Sequence, residues 1–182
     1  MTENDVDFER RRDALIAEIT AAFDGVERED GITLHEAQAL DDWMSEAEQR
    51  AARSLDTDER WQDVPDKDIA RCCSALSFLD VKGFRYYFPA FMVYALKHWD
   101  DPEDNGSILS SCFYKMISDY PASVRKSEPA TIASKKNFTS AQSKAVAAFL
   151  RFVIDFYDIC ARRVNVEAVE KWEKFSGKVR AT

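Results

Sequence analysis

The chain has 182 residues, of which 46% are apolar and 12% aromatic, and its net charge is −8. This composition is typical of a folded globular protein and excludes a disordered chain. The acidic balance also disfavours nucleic acid as a partner, because nucleic-acid-binding domains are basic. No apolar run reaches the ~18 residues of a membrane span, and the charged N-terminus lacks the apolar segment of a signal peptide. We therefore expect a cytoplasmic protein with neither a membrane nor a nucleic-acid partner.

The charge is distributed unevenly along the chain. Residues 1–68 contain 21 acidic and 8 basic residues, a net charge of −13, whereas residues 105–182 contain 7 acidic and 13 basic residues, a net charge of +6. An asymmetry of this size bears on partners and solubility rather than on the fold. The acidic part is expected either to bind a cationic protein or to pack, partly solvated, against the basic part, and the sequence leaves both open.

The N-terminal third contains two strong helix signals. Apolar residues at three- and four-residue spacing predict a helix over residues 7–24, which Asp24-Gly25 ends. Thr33 with Glu36 forms a capping-box pattern, which predicts one long helix, or two helices with a bend near Ser45.

Two shorter helices are predicted next. The polar run Asp56–Glu59 resembles a helix start placed before Trp61, and Val64-Pro65 ends that segment. A further short helix then begins at Pro65 or Asp66.

The stretch from Ala75 to Leu96 is the densest run of large apolar and aromatic side chains in the sequence. Such side chains dominate core energetics, so we predict that the other helices pack around this stretch. Asp80 is placed to cap a helix that begins near Val81. Pro89 lies inside that helix, where it removes a backbone donor and clashes with the preceding turn. We therefore predict a kinked helix, or a new helix with Pro89 in its first turn.

The C-terminal part begins with a short helix predicted after Ser107. The segment 118–138 contains two prolines and is weakly patterned, so we predict a mobile loop there. Thr139 and Gln142 form another capping-box pattern at the start of a regular apolar helical stripe. The predicted fold is therefore all-α. It is a single compact helical domain over residues 1–182, with about seven to eight helices around the Pro-kinked aromatic helix.

The sequence carries no motif for catalysis. A nucleophile elbow, a Gly-rich phosphate loop and a dinucleotide fingerprint are all missing. We therefore predict no catalytic residue and no cofactor. Whether the protein is an enzyme stays open, with a non-enzymatic role favoured.

Metal binding has little support in the sequence. His35 and His98 are the only histidines, and His35 is not followed by a second histidine one helical turn later, as in zinc proteases. From Asp101 the chain resembles the first half of a calcium-binding EF-hand loop, but Cys112 stands where the bidentate glutamate is required. The four cysteines contain no C-x-x-C pair and are expected to be buried free thiols. We therefore predict no bound metal.

Two groups of residues are candidates for a binding site. Acidic residues on the exposed face of the second predicted helix indicate contact with a basic protein: Glu36, Asp41, Asp42, Glu46 and Glu48. Polar residues in the aromatic stretch, together with one histidine, indicate a small-molecule pocket at the Pro89 bend: His35, Arg85, Tyr86 and Tyr87. Arginine and tyrosine are enriched at binding hot spots. The alternative for the second group is structural, with buried tyrosines whose hydroxyls are satisfied and Arg85 paired with Asp80.

Several short motifs resemble a family of small bacterial proteins of unknown function. The similarity covers most of residues 30–155, including the start of the C-terminal helix, and Phe88 stands where leucine is more usual. The resemblance implies a bacterial, single-domain, intracellular protein, and it implies no activity. The residues that carry it are Leu34-His35-Glu36-Ala37, Trp61-Gln62-Asp63-Val64-Pro65, Phe78-Leu79-Asp80, Gly83-Phe84-Arg85-Tyr86-Tyr87-Phe88-Pro89-Ala90-Phe91-Met92, and Thr139-Ser140-Ala141-Gln142 followed by Ala148-Phe149-Leu150.

Two functional hypotheses follow from the sequence. The first is a non-enzymatic acidic protein that binds a basic protein, most concretely an immunity or inhibitor protein that neutralises a cationic toxin or enzyme. Electrostatic complementarity would speed association and select the partner. The alternative is a small-molecule-binding protein, or an enzyme of unknown class, with its pocket at the Pro89 bend. The oligomeric state is not indicated.

Overall fold

A computed structural model describes residues 3–101, 106–112, 138–156, 169–170 and 172–174. All regular secondary structure in these ranges is helical, which confirms the all-α prediction. Residues 169–170 and 172–174 are also helical. The described α-helices are α1 (Glu3–Ala22), α2 (Leu34–Asp41), α3 (Glu46–Arg53), α4 (Asp66–Arg71), α5 (Val81–Lys97), α6 (residues 106–112) and α7 (Ser140–Phe156). Short 3-10 turns lie at Trp61–Asp63 and Ala75–Ser77.

The chain divides into two compact units. One unit comprises Met1–Asp24 and Phe138–Thr182, and the other comprises Gly25–Asn137. The single domain over residues 1–182 stays a prediction. Of the predicted mobile loop, residues 118–138, only Phe138 lies among the described residues, and it is buried.

In the first unit, α1 and α7 pack antiparallel. The ring of Phe8 near the start of α1 lies 5.4 Å from that of Phe152 and 5.1 Å from that of Phe156, both near the end of α7. Further along α1, the Glu18 carboxylate lies 3.2 Å from Lys144 Nζ near the start of α7. The apolar faces that the sequence predicts for α1 and α7 therefore pack against each other in this unit.

The start of α7 has the cap that its sequence predicts. The Thr139 N–H donates to Gln142 Oε1 at 3.0 Å, and the Gln142 N–H donates to Thr139 Oγ1 at 3.2 Å. These reciprocal bonds satisfy two amides that the first helical turn leaves unpaired. The predicted capping box is confirmed.

The core of the second unit is α5. Every residue from Gly83 to Leu96 except Arg85 is buried, which confirms that the aromatic stretch is a core element. A single helix runs through Pro89, so no new helix begins there. The bend at Pro89 stays a prediction.

The first turn of α5 is joined to the loop before α2. The Asp80 carboxylate accepts the Gly83 N–H at 2.8 Å, which confirms the predicted cap, and the Ile32 N–H at 3.0 Å. The two backbones approach closely, since a Cβ on Gly83 would lie 2.3 Å from the Ile32 carbonyl oxygen. Glycine is therefore required at position 83 by space rather than by its backbone angles.

One predicted helix start is wrong. Residues 56–60 are not helical, and only the short 3-10 turn at Trp61–Asp63 follows them. The carboxylates of Asp56 and Asp58 bond to side chains elsewhere in the unit instead of capping a helix. Aspartate-rich segments favour helix caps and turns alike. Here the hydrogen bonds to distant side chains favour the non-helical conformation.

Candidate functional site

The predicted acidic face lies on the antiparallel hairpin of α2 and α3. Of the two forms predicted from the sequence, two helices with a bend near Ser45 is the one observed. Glu36 in the first turn of α2 forms an ion pair with Arg53 in the last turn of α3, at 2.5 Å. Because these ends are bridged, the connection between the helices lies at the opposite end, about 12 Å away at 1.5 Å per residue. We call that connection, with its flanking residues 41–48, the acidic turn.

The backbone of the acidic turn is held by hydrogen bonds at both ends. The Trp43 N–H donates to the Leu40 carbonyl at 3.3 Å, and the Met44 N–H donates to the Ala39 carbonyl at 3.0 Å. This is the Schellman arrangement, in which the residue after the C-cap is usually glycine because its φ is positive. Here that residue is Trp43, with a φ of 57°.

The start of α3 fixes the other side of the turn. The Ser45 hydroxyl oxygen accepts the Glu48 N–H at 3.4 Å, and the Ser45 N–H donates to the Glu48 carboxylate at 2.9 Å. The Ser45 hydroxyl also donates to this carboxylate, and these bonds lower the pKa of Glu48. The turn is therefore a structured element with defined side-chain directions.

Apolar side chains at the turn face solvent. Trp43 is 93% exposed, more than any other large apolar residue in the described part of the chain, and its neighbour Met44 is 41% exposed. Single exposed apolar residues are common on protein surfaces. A tryptophan exposed to this degree is unusual, because its large ring gains most from burial.

The five predicted partner-binding acids do not share one face. Glu36 lies at the far end of the hairpin, where it accepts the Thr33 N–H and pairs with Arg53. The other four, which are Asp41, Asp42, Glu46 and Glu48, belong to the acidic turn.

Three carboxylates of the acidic turn are available to a partner. Asp42 accepts a hydrogen bond from neutral Gln38, and Glu46 lies 3.5 Å from the largely exposed Arg50. The half-buried Asp41 side chain forms no hydrogen bond or ion pair with the described residues. Glu48 is engaged in the α3 cap. Residues 41–48 contain four acidic residues and no lysine or arginine, so the turn carries a local excess of negative charge.

The predicted pocket residues lie in a different place, around the loop at residues 56–58. The Tyr86 hydroxyl lies 2.9 Å from Asp58 Oδ2, and Arg28 Nη1 donates to the Tyr87 hydroxyl at 2.7 Å. Arg28 also bonds to this loop, through the Asp56 carbonyl at 3.3 Å. The structural alternative for the two tyrosines, buried rings with satisfied hydroxyls, is therefore what the structure shows.

His35 belongs to the same polar network. Asp56 accepts both the His35 backbone N–H, at 2.9 Å, and a bond from its Nδ1, at 2.7 Å. Because an ionised carboxylate only accepts hydrogen bonds, this pairing places a proton on Nδ1. His35 Nε2 lies 3.8 Å from the Asp68 carboxylate. The imidazole thus sits between two carboxylates, which is an anchoring arrangement for the loop.

Arg85 does not join this network. Its predicted partner Asp80 accepts two backbone N–H groups at Oδ1, and no ion pair joins these two described residues, so the predicted Asp80–Arg85 pair is wrong. Within the described ranges Arg85 Nε is buried and lacks a hydrogen-bond partner. The structure therefore brings together three of the four predicted pocket residues and leaves Arg85 apart.

Burial shifts the acidity of the side chains in this core. It raises the pKa of Tyr86 and of Tyr87, and it raises the pKa of Cys72 to about 12. Each group is consequently neutral at physiological pH. A neutral phenol or thiol makes a weak base or nucleophile, so these groups serve packing and hydrogen bonding.

The described cysteines and carboxylates do not indicate a metal centre. Cys72 and Cys112 are buried free thiols, as predicted, and Cys73 is a free, half-buried thiol. In the part of the chain that the structure describes, no three His, Cys, Asp or Glu side chains meet in a way that could hold a metal ion. Residues 102–105 of the EF-hand-like stretch lie outside that part. No described helix combines the length and apolar character of a membrane span.

The sequence does not identify the residues that build the polar network around the tyrosines, and it does not show that Trp43 lies exposed at the acidic turn. Arg28, Asp56 and Asp58 carry the network around the tyrosines, yet Arg28 lies in a polar segment typical of a loop and the two aspartates lie in a run that resembles a helix start. The spacing of Trp43 matches the apolar side of the helix predicted after Thr33. Its position directly after Asp41-Asp42 and before Ser45, a good N-cap, was the available signal that a helix ends there.

Comparison with known proteins identifies a family and no activity. Residues 11–174 match a family described as "Family of unknown function (DUF6714)". A search of curated proteins found no match, and neither did a search of solved structures. The match extends beyond residues 30–155, over which the motifs show the resemblance.

Proposed function

We propose that this chain, which belongs to the DUF6714 family, is a protein-binding protein whose acidic turn contacts a basic partner. In its most concrete form it is a bacterial, cytoplasmic immunity or inhibitor protein. Its carboxylates would then cover the cationic active site of a toxin or enzyme. The bacterial origin rests on the motif resemblance.

The observation that carries this proposal is the charge of the acidic turn. Four acidic residues without a basic one fall within residues 41–48, and Asp42 and Glu46 are exposed at the turn. A concentrated charge of one sign steers an oppositely charged protein and raises its association rate. This effect weakens with added salt, because the Debye length falls from ~10 Å at 0.1 M to ~3 Å at 1 M.

The alternative, a small-molecule pocket at the predicted Pro89 bend, has less support. The Tyr86 and Tyr87 hydroxyls already bond to Asp58 and Arg28, so a ligand would have to displace internal hydrogen bonds. Displacing them leaves buried polar groups unpaired, at a cost of about 1–3 kcal/mol for each group.

The test compares two variants that change the net charge equally. The first removes three charges at the acidic turn, as Asp41→Asn, Asp42→Asn and Glu46→Gln. The matched control removes three exposed acids elsewhere, as Glu9→Gln, Asp24→Asn and Glu27→Gln. Full-length protein is used to capture partners from the native host, and the association rate of the captured protein is then measured by surface plasmon resonance.

We expect a basic partner whose association rate falls roughly tenfold with the turn variant at low salt, and much less with the control. The salt dependence of the rate should also flatten with the turn variant. Equal effects of the two variants would show that only net charge matters. No effect of the turn variant would contradict the proposal.

A further inference from the structure

We infer that Trp43 is the anchor of the acidic turn and that it receives an arginine side chain of the basic partner. The guanidinium would stack on the indole ring while a carboxylate of the turn accepts its N–H groups. This inference rests on the proposed function and deepens it, because it names the chemical group that the surface recognises.

Trp43 presents its side chain to solvent at the acidic turn. The indole is 93% exposed, so within the described part of the chain it contributes little packing to the fold. Its backbone has a φ of 57°, in the left-handed region that is unfavourable for residues other than glycine. Hydrogen bonds to Leu40 and Ala39 nonetheless hold that backbone in place. The backbone that carries the indole ring is therefore ordered before binding, which lowers the conformational entropy lost when a partner contacts the ring.

The chemistry of the neighbours selects a cation. Asp41, Asp42 and Glu46 lie within three residues of Trp43 along the chain, and of the three only Glu46 lies near a basic side chain, the largely exposed Arg50 at 3.5 Å. An aromatic face attracts cations through its negative quadrupole, and tryptophan does so most strongly. Negative charge beside the ring adds to the attraction, whereas it would repel an anionic membrane surface or a nucleic acid.

Arginine fits this surface better than lysine. The guanidinium is planar, so it can stack on the indole and still direct its N–H donors at a carboxylate. The exposed Met44 side chain beside Trp43 offers apolar surface to the methylene stem of the same arginine. A lysine ammonium is a compact, strongly hydrated charge that can satisfy only part of this arrangement.

The experiment uses a short labelled peptide of alternating arginine and glycine, titrated with the full-length chain at low salt by fluorescence anisotropy. Two further peptides replace arginine by lysine or by citrulline, which keeps the planar shape but carries no charge. Trp43→Leu removes the aromatic face, and Trp43→Tyr keeps it. Leu55→Ala is the matched control, because Leu55 is also exposed, at 62%, and is not part of the acidic turn.

We expect the arginine peptide to bind and Trp43→Leu to weaken it roughly fivefold or more. Trp43→Tyr and Leu55→Ala should each stay within about twofold of the wild type. The lysine peptide should bind more weakly than the arginine peptide, and the citrulline peptide should not bind. Trp43→Gly should lose binding yet raise the melting temperature, since glycine relieves the positive φ, and this separates recognition from folding.

The inference is overturned if Trp43→Leu binds the arginine peptide like the wild type, if lysine or citrulline binds as well as arginine, or if the wild type does not bind. Its failure is distinguishable from that of the proposed function. If neutralising Asp41, Asp42 and Glu46 abolishes binding while Trp43→Leu does not, the proposed function is supported and the role of Trp43 is refuted. If neutralising them has no effect on a basic partner, the proposed function itself fails.

Discussion

At the scale of single residues, Asp58 shows how the core satisfies a buried charge. Its side chain is only 8% exposed, and it accepts from the Tyr86 hydroxyl at 2.9 Å and lies 3.4 Å from Arg28 Nη1. A buried carboxylate needs such donors, because an unpaired one loses its hydration without compensation. Tyr86 therefore acts as a structural donor.

Tyr86→Phe should destabilise the protein by about 1–3 kcal/mol, since it leaves Asp58 one donor short. The free energy of unfolding from urea denaturation measures this effect. Tyr87→Phe is the matched comparison and should cost less, because it removes an acceptor from Arg28, which keeps its other bonds. A Tyr86→Phe protein as stable as the wild type would show that the hydroxyl is not needed.

At the scale of elements, the contact between the first turn of α5 and the loop before α2 orders the second unit. The Asp80 carboxylate bonds to both segments, and Gly31 and Gly83 allow the two backbones to touch. A Cβ at position 31 would lie 2.6 Å from the Gly83 nitrogen, and one at position 83 would lie 2.3 Å from the Ile32 carbonyl oxygen. Glycine thus serves close packing at both positions.

Gly83→Ala should therefore destabilise the protein by about 1–3 kcal/mol or more, as overpacking does. In an open helix the same change would stabilise by about 0.5–1 kcal/mol. Gly106→Ala is the control, because a Cβ at Gly106 would meet nothing within 4 Å. Thermal unfolding followed by circular dichroism distinguishes the two, and a Gly83→Ala protein with a raised melting temperature would contradict the packing argument.

The parts of the fold that could be predicted are those set by local chemistry. The all-α class, the caps at Asp80 and Thr139 and the buried aromatic helix follow from periodicity and capping residues. The polar network could not be predicted, because Arg28, His35 and Asp58 meet only through tertiary packing. The exposure of Trp43 was hidden for the same reason, since its spacing matches the apolar face of α2 until the helix ends at Asp41.

At the scale of the whole molecule, the buried thiol and phenols predict sensitivity to alkaline pH. Burial raises the pKa of Cys72 from its ordinary value of 9.0 to about 12, and it raises the pKa values of Tyr86 and Tyr87 above their ordinary value of 10.0. The folded state therefore favours the protonated groups. Their contribution to stability is complete below about pH 9 and is lost as the pH rises toward 12.

We expect the free energy of unfolding to fall steadily above pH 9, and Cys72→Ala to reduce that slope. Urea unfolding at a series of pH values measures both effects. A free energy of unfolding that stays constant between pH 9 and pH 11 would contradict the burial of these groups.

The acidic residues of the N-terminal third have different roles in the structure. The sequence places a net charge of −13 in residues 1–68, and the structure shows how differently those acids are used. Asp56 and Asp58 bond to buried partners, Glu36 pairs with Arg53, and Glu48 caps α3. Asp41, Asp42 and Glu46 lie within three residues of the exposed Trp43 along the chain, and this combination is why we propose partner binding there.

Amide hydrogen exchange of the full-length chain, alone and with the captured basic partner, tests this assignment most directly. We expect the partner to slow exchange over residues 41–48 and to leave the amides of residues 84–96 unchanged. Protection confined to another surface, with exchange over residues 41–48 unaltered by a bound partner, would contradict it.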